Sequence, residues 1–478
     1  MHDPAAGYDY VELHAHSCWS LREGASSTDE LVDRAIALGY PALALTDHDN
    51  VYGAMEFARA AQERGLRPIT GVELTVLGDD GQQSHITVLA AEVDGFRNIC
   101  RILSLAYRTH GKDSPLVEKR WLAEHHAGLI VLSGCRESEL SRLLDPNSPA
   151  RDRGRAERIA REYQAIFGDR FYIELQDHDV YGDRERIPAM AELADRLGIE
   201  IVAANNAHYH VRERHRLNDV LVAVRHRRTL DSSHELRRPN SEFFLKSGQA
   251  MARRFANYPA AIRNTLVIAE RCQFDLSRDL PYRLPDYQGL PEGSTMDGFL
   301  RGICERAFRR KYNIFEPGIY ADARARLDRE LELIERHGLA GFFLVYWEIL
   351  QMVNEIAHEL RGRPRNLAPD ERPVGRGRGS SVSSIVCYLI GLSHIDPVTN
   401  KLYLDRFLND ELHSLPDIDI DFPRDIRDEL LQRVYDRFGE DHAALVCSFP
   451  TYQFKSAVLD IGKTLGLPAP VLAKLNKL

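Results

Sequence analysis

From Tyr8 to about His208 the chain alternates short apolar runs with amphipathic stretches of helical period. Alternation of this kind predicts an α/β fold, built of β/α units around a parallel sheet or a barrel. The strand candidates are Tyr10 to His14, Ala42 to Thr46, Pro68 to Leu74, Ile86 to Ala90, Leu129 to Leu132, Phe171 to Leu175 and Ile199 to Ala203. Between the first two, Ser27-Thr28-Asp29-Glu30 reads as a capping box, with Ser27 as N-cap and Glu30 three positions on. It opens a helix whose apolar face is Leu31, Ala35 and Leu38, and Gly39 stops it.

After residue 210 the strand pattern fades into helix and loop. Pro281, Pro285 and Pro291 between Asp279 and Glu292 mark a linker. Helices are expected around Leu300–Lys311 and Asp322–His337. A Pro/Arg-rich loop follows, in which Arg361, Arg363, Arg365, Arg372, Arg376 and Arg378 form the one local basic excess of note.

Composition narrows the function classes. With 62 Lys and Arg against 71 Asp and Glu the net charge is −9, which excludes a uniformly basic nucleic-acid coat but not a basic groove. At 478 residues the chain exceeds what one hydrophobic core supports, so two or three domains are expected. The seven cysteines are scattered without a CxxC pair, which argues against a disulfide framework or zinc ribbon and for a reducing, cytosolic setting. The N-terminus carries neither a basic nor an apolar leader pattern. The most apolar stretch, Gly341 to Leu350, falls short of the roughly 18 residues a membrane span needs. A cytoplasmic protein with no membrane partner is expected.

Against this background the 19 histidines stand out. His14 and His16 sit two apart at the end of a strand-like run, so both imidazoles leave one face. Other strand candidates also end in ligand-type residues: Thr46-Asp47-His48-Asp49, Glu73, His85, Ser133-Gly134-Cys135 and Asn205-Asn206-Ala207-His208. In a β/α barrel such strand ends converge on one mouth. Any single histidine could be an ordinary hydrogen-bonded residue, but the set predicts a metal cluster. Imidazole, carboxylate and one thiolate suit zinc better than magnesium, with iron or manganese as alternatives.

A second chemistry lies near the C-terminal end. Pro416-Asp417-Ile418-Asp419-Ile420-Asp421-Phe422 alternates acid and apolar residue with period two, so on a strand the three carboxylates share a face while Ile418, Ile420 and Phe422 pack beneath. A row of like charges is costly unless cations neutralise it, and adjacent carboxylates are what two-metal phosphoryl transfer uses. The plain alternative is a half-exposed strand with a solvated acidic face. About 40 residues earlier lies Gly375-Arg376-Gly377-Arg378-Gly379-Ser380-Ser381-Val382-Ser383-Ser384, followed by a helix-like run from Ile385 to Leu392. Glycines, hydroxyls and a helix N-terminus together predict an anion cradle, with a flexible Gly/Ser linker as the alternative.

The first set of motifs, Leu13-His14-Ala15-His16-Ser17, Thr46-Asp47-His48-Asp49 and Gly71-Val72-Glu73, resembles the polymerase-and-histidinol-phosphatase (PHP) domain at the N-terminus of bacterial C-family DNA polymerases. The resemblance implies a distorted, TIM-like β/α barrel with a three-metal site. Its ligands fall on His14, His16, His48, Glu73, His85, Cys135 and His208. Where nuclease-active PHP domains carry Asp, this chain has Glu23 and Asn206. The longer arm of Glu23 could still reach a metal, whereas the neutral amide of Asn206 is a poor ligand. A structural metal site is therefore expected above a catalytic one.

GRGSS and PDIDID likewise resemble the palm of C-family DNA polymerases, an α+β fold of the nucleotidyltransferase type. The resemblance implies Gly379, Ser380 and Ser381 for the incoming triphosphate, with Arg376 and Arg378 as helpers. It implies Asp419 and Asp421, with Asp417 beside them, as ligands of two Mg²⁺ ions. Tyr435 to Gly439 and Phe454 to Ala457 continue it into the start of a helical thumb, and Asn205 to His210 and Asp441 to Val446 are more similar to the error-prone, damage-associated branch. The implied organisation is a PHP domain over 1–275, a linker over 276–292, a partial palm over 293–445 and the start of a thumb over 446–478. The third palm carboxylate has no convincing candidate, Asp460 being expected on a thumb helix, so a truncated polymerase is expected. Implied partners are primer-template DNA and dNTPs, with a sliding clamp and other replication or repair proteins reached through further segments. A PHP-type phosphoesterase or 3′–5′ exonuclease, and a non-catalytic DNA-binding remnant, are the rival readings.

Overall fold

The computed structural model describes residues 9–78, 80–112, 114–280, 287–364, 367–411 and 416–476. Pro281, Pro285 and Arg365 lie outside the described residues. The chain divides into two compact units, Met1–Pro281 with Thr451–Leu478, and Tyr282–Pro450. The helix Phe454–Thr464 packs against His215–Arg225 inside the first unit, whereas the residues before Thr451 belong to the second.

The first unit is built on seven strands: β1 (Ala42–Leu45), β2 (Arg67–Leu77), β3 (Gln83–Ala90), β4 (Val117–Glu118), β5 (Leu129–Leu132), β6 (Phe171–Leu175) and β7 (Ile201–Ala203). Their order is β1-β2-β3-β5-β6-β7, with β4 beside β2. Six of the seven runs read from the sequence are strands here. The expectation of an all-parallel sheet fails at β3, which is antiparallel to both β2 and β5. The physical reason is a tight return after β2: the Gly78 N–H bonds to the Gln82 carbonyl at 2.8 Å, leaving no room for a crossover helix.

The remaining run, Tyr10 to His14, is not a regular strand. It makes isolated bridges from Glu12 to Leu43 and from Ala15 to Ala207. The Ala44 N–H donates to the Glu12 carbonyl at 2.9 Å, the Ala207 N–H to the His14 carbonyl at 2.9 Å, and the His16 N–H to the Ala207 carbonyl at 2.7 Å. This segment thus joins β1 at one edge to the chain just beyond β7 at the other, and the sheet curls into a distorted barrel. Because its backbone groups are divided between two neighbours within a few residues, no continuous ladder forms.

Strands β1, β5 and β6 are buried along their whole length, which is why they read as unbroken apolar runs. One end of the barrel is plugged by Val11, Leu13, Ala44, Ile69 and Ile130 packed with Ile268 of the helix Pro259–Arg271. Polar side chains must then gather at the other end. The capping box at Ser27 and Glu30 is present, and Gly39 takes the left-handed conformation that ends its helix.

In the second unit, helices Met296–Lys311, Pro317–Arg336 and Ala340–Arg361 pack around the short helix Ile385–Ile390. Among the described residues its β-structure is one two-stranded ribbon, β8 (Arg376–Gly377) antiparallel to β9 (Ile420–Asp421). Gly375 is required there, since a Cβ would lie 2.6 Å from the Phe422 ring. No described helix is long and apolar enough to cross a membrane, and all seven cysteines are free thiols.

Candidate functional site

Glu73 is the centre of the first cluster. It sits on β2, whose backbone bridges His48 in parallel fashion, and β2 is held against β1 and β3. From there its carboxylate reaches two groups of side chains. In one, His14 Nε2 faces Glu73 Oε1 at 3.2 Å and His16 Nε2 faces Glu73 Oε2 at 3.7 Å. In the other, His48 Nδ1 lies 2.8 Å from Glu73 Oε2 and His85 Nδ1 lies 3.5 Å from Glu73 Oε1. In each triad the three ligand atoms lie within 4.8 Å of one another.

The donor atoms fit a divalent cation. His14 Nε2, His16 Nε2 and Glu73 Oε1 are buried without a hydrogen-bond partner, an arrangement that a metal ion would satisfy and that is otherwise costly. Their orientation is fixed from behind. His14 Nδ1 lies 2.8 Å from Glu174 Oε1, and His16 Nδ1 lies 3.0 Å from Ser20 Oγ. Asp47 in turn accepts from the backbone N–H and hydroxyl of both Ser17 and Ser20. Carboxylate-backed imidazoles of this kind are the usual support for metal ligands.

Electrostatics set the protonation in the metal-free cluster. Burial pushes the Glu73 carboxyl up, but the charge of His85 and the close approach of His14, His48 and His85 outweigh it and hold it well below the usual range. Burial likewise pushes His14 down, yet Glu174 and Glu73 bring it up to about 10. His48 reaches about 10 in the same way, against burial, through Asp49 and Glu73. Burial takes His16 and His208 well below their ordinary value, and these two rings stack at 4.3 Å. Burial holds the Cys135 thiol well above its usual range; its sulfur lies 3.4 Å from His85 Nδ1.

Not every expected ligand joins the triads. Cys135 abuts His85 but belongs to neither triad. Glu23 is ion-paired with Arg225, and His208 is hydrogen-bonded by Arg238. Asn206 holds a left-handed backbone with φ of 42°, and its Oδ1 is buried without a partner. Glu23, Glu73, His85, Cys135, Asn206 and Arg238 line one cavity of about 280 Å³. The sequence pattern assigned no role to Glu174, Arg225 or Arg238, and it placed Asp47 only among the ligand-type residues at a strand end. The signal for Glu174 was present, a lone carboxylate inside the apolar strand Phe-Tyr-Ile-Glu-Leu.

The second cluster is the ribbon. Arg376 pairs opposite Asp421 and Gly377 opposite Ile420. Arg378 is ion-paired with Asp421, and its backbone N–H donates to the Asp419 carbonyl at 2.9 Å. Asp417, Asp419 and Asp421 are exposed, Ile418 is buried and Ile420 half-buried, which is the alternation read from the sequence. The glycine-rich loop therefore lies directly beside the carboxylates.

Within that loop the hydroxyls are not all free to meet a ligand. Ser381 Oγ donates to the Arg378 carbonyl at 2.7 Å and is buried, whereas Ser380 is half-buried and Gly379 is exposed with φ of 63°. The expectation that the helix N-terminus serves an anion needs correction. The buried carboxylate of Glu330 accepts from Ser384 Oγ at 2.8 Å, Ile385 N at 2.9 Å and Val386 N at 3.2 Å, so an internal anion already satisfies the first turn.

Residues 12–178 match the PHP domain, and residues 298–478 match the bacterial DNA polymerase III alpha NTPase domain. The chain belongs to the C family of bacterial DNA polymerases. Its relatives include the DNA polymerase III subunit alpha of Treponema pallidum, 36% identical over 99% of this chain and 39% of the relative. An error-prone DNA polymerase of Symbiobacterium thermophilum is 36% identical over 98% of this chain and 42% of its own length. One from Mycobacterium tuberculosis is 37% identical over 96% and 40%. This C-family chain thus spans about two fifths of the length of the curated relatives it matches.

Proposed function

We propose that the second unit carries the nucleotide- and metal-holding part of a template-directed DNA polymerase of the error-prone, repair-associated branch, working on primer-template DNA and dNTPs in the cytoplasm. Asp419 and Asp421, with Asp417 beside them, hold two Mg²⁺ ions, which supply charge neutralisation for attack of a primer 3′-hydroxyl on the α-phosphate. The backbone at Gly379 and Ser380, with Arg376 and Arg378, takes the triphosphate. Ser381 orders the loop rather than touching the nucleotide. A sliding clamp and further replication or repair proteins complete the list of partners. One observation carries this reading: the β8–β9 pairing sets an arginine-flanked, glycine-rich loop beside the carboxylate row.

In the first unit, the two Glu73-centred triads hold divalent ions, zinc by donor set, with manganese or iron as the alternatives. Their role is structural. The rival, a nuclease acting through this centre alone, leaves the ribbon without a purpose. Primer extension and single-strand exonuclease activity, measured side by side on this chain and on Asp419→Asn, separate the two. Extension that disappears in Asp419→Asn supports the polymerase reading. Metal-dependent degradation of primer 3′ ends that survives Asp419→Asn but is lost in His14→Ala would replace it by the nuclease.

A further inference from the structure

Around His208 the cluster changes character. Histidine offers one lone pair when neutral, and its other ring nitrogen is a donor. His208 Nδ1 lies 3.3 Å from the Glu23 carbonyl and 3.3 Å from Arg238 Nη2, and the same Nη2 approaches Nε2 more closely, so a guanidinium donor faces the ring lone pair in either tautomer. Arginine in a protein has donors only and keeps its charge. The Arg238 guanidinium, stacked over the Phe243 ring at 5.0 Å, makes its shorter contact with His208 Nε2. The lone pair that a metal ion would need is thereby occupied.

The anionic side of this corner is occupied as well. The Glu23 carboxylate is ion-paired with Arg225, and Asn206, whose Oδ1 is buried without a partner in the same cavity, brings no charge. A divalent ion placed beside His208 would meet the Arg238 and Arg225 guanidinium groups, in a cavity whose further carboxylates are Glu73, Glu137 and Glu235. Among the described residues Glu73 is ion-paired with histidines and not with an arginine, although the charge of Arg238 is felt at His16 and Glu73 as well.

We infer that Arg238 is a built-in cation of this centre, which stands in for a metal ion at His208 and limits the barrel to the two ions that Glu73 can join. Metal capacity is then a property of one guanidinium. His208 acts as a positioning residue for Arg238, not as a ligand. The inference rests on the reading of the two triads as metal sites, so a wild type that retains no zinc would remove that reading first, and it stands whether or not the ribbon serves polymerisation.

Zinc content per chain tests it, measured by mass spectrometry after saturation with Zn²⁺ and removal of surface-bound ions with a weak chelator. Two ions per chain are expected in the wild type and in His208→Ala. Arg238→Gln, which frees the lone pair and removes a positive charge, is expected to rise to three, while Arg238→Lys stays at two. Three ions in the wild type, a loss of zinc in folded His208→Ala, or an unchanged count in folded Arg238→Gln would each overturn the inference. The wild-type count decides even if a variant does not fold.

Discussion

The guanidinium of Arg378 is ion-paired with the carboxylate of Asp421, and the backbone of the same arginine is tied to Asp419. A group read as a triphosphate helper thus shares its partner with a group read as a metal ligand. Both side chains are more than half exposed, so the pair adds little to stability and a divalent ion can compete for Asp421. Arg378→Ala is expected to leave the urea midpoint nearly unchanged and to tighten Mn²⁺ binding about two- to five-fold, as one competing charge is removed. Asp421→Asn is expected to weaken it at least about ten-fold. Electron paramagnetic resonance of free Mn²⁺ reads both. Equal weakening by the two substitutions would show that Arg378 assists the ion rather than competing with it.

Glu73 joins both histidine triads, so its loss should be felt twice. Glu73→Gln is expected to abolish zinc retention at both, where His14→Ala or His85→Ala removes one ion. In the metal-free protein it leaves His14 and His48 without the carboxylate they share, and a cost of about 3–5 kcal/mol is expected for breaking a buried charge pair. Urea unfolding in the presence of chelator measures that cost separately from metal loss.

Glu330 is a buried carboxylate that closes the first turn of Ile385–Ile390 and is also ion-paired with Arg326. Glu330→Ala leaves two backbone N–H groups and the Ser384 hydroxyl without an acceptor. A loss of about 1–3 kcal/mol is expected. Hydrogen exchange should report it in Ile385 and Val386 first, before any change in the barrel. Uniform loss of protection across both units would argue that the cap has no local role.

His178 gives the first unit a pH dependence. Burial pushes it down to about 3, against the opposing hydrogen bond to the Asn205 carbonyl, and the ring stacks on Phe243 at 3.9 Å. The unfolded chain takes up the proton near pH 6.5 and the folded chain only near pH 3, so the unfolded state binds more protons between them. Stability from this group is complete above about pH 6.5 and falls as pH drops toward 3, by several kcal/mol at most. Urea midpoints at pH 7.5 and pH 5 should differ less in His178→Gln than in the wild type. An equal difference in both would remove His178 as the cause.

Much of this protein follows from local sequence. Apolar runs of strand length and a capping box at Ser27 and Glu30 are short-range patterns whose physics is set by neighbours within a few residues, and they predict the elements well, whereas the period-two row from Asp417 to Phe422 keeps its alternating burial but is strand only at Ile420–Asp421. The residue types at the strand ends predict a metal cluster for the same reason, because strands of one barrel end at one mouth. Tertiary structure decided what those residues do once assembled. It broke the run at Tyr10 into bridges because two edges had to be joined, and reversed β3 because the return after β2 is too tight for a crossover. It set Glu330, 55 residues earlier, on the helix N-terminus that the local sequence left open to a phosphate. It also set Arg225 and Arg238 against Glu23 and His208. Which charges meet depends on long-range packing, since a carboxylate or imidazole carries no local mark of whether a metal ion or a guanidinium will be its partner.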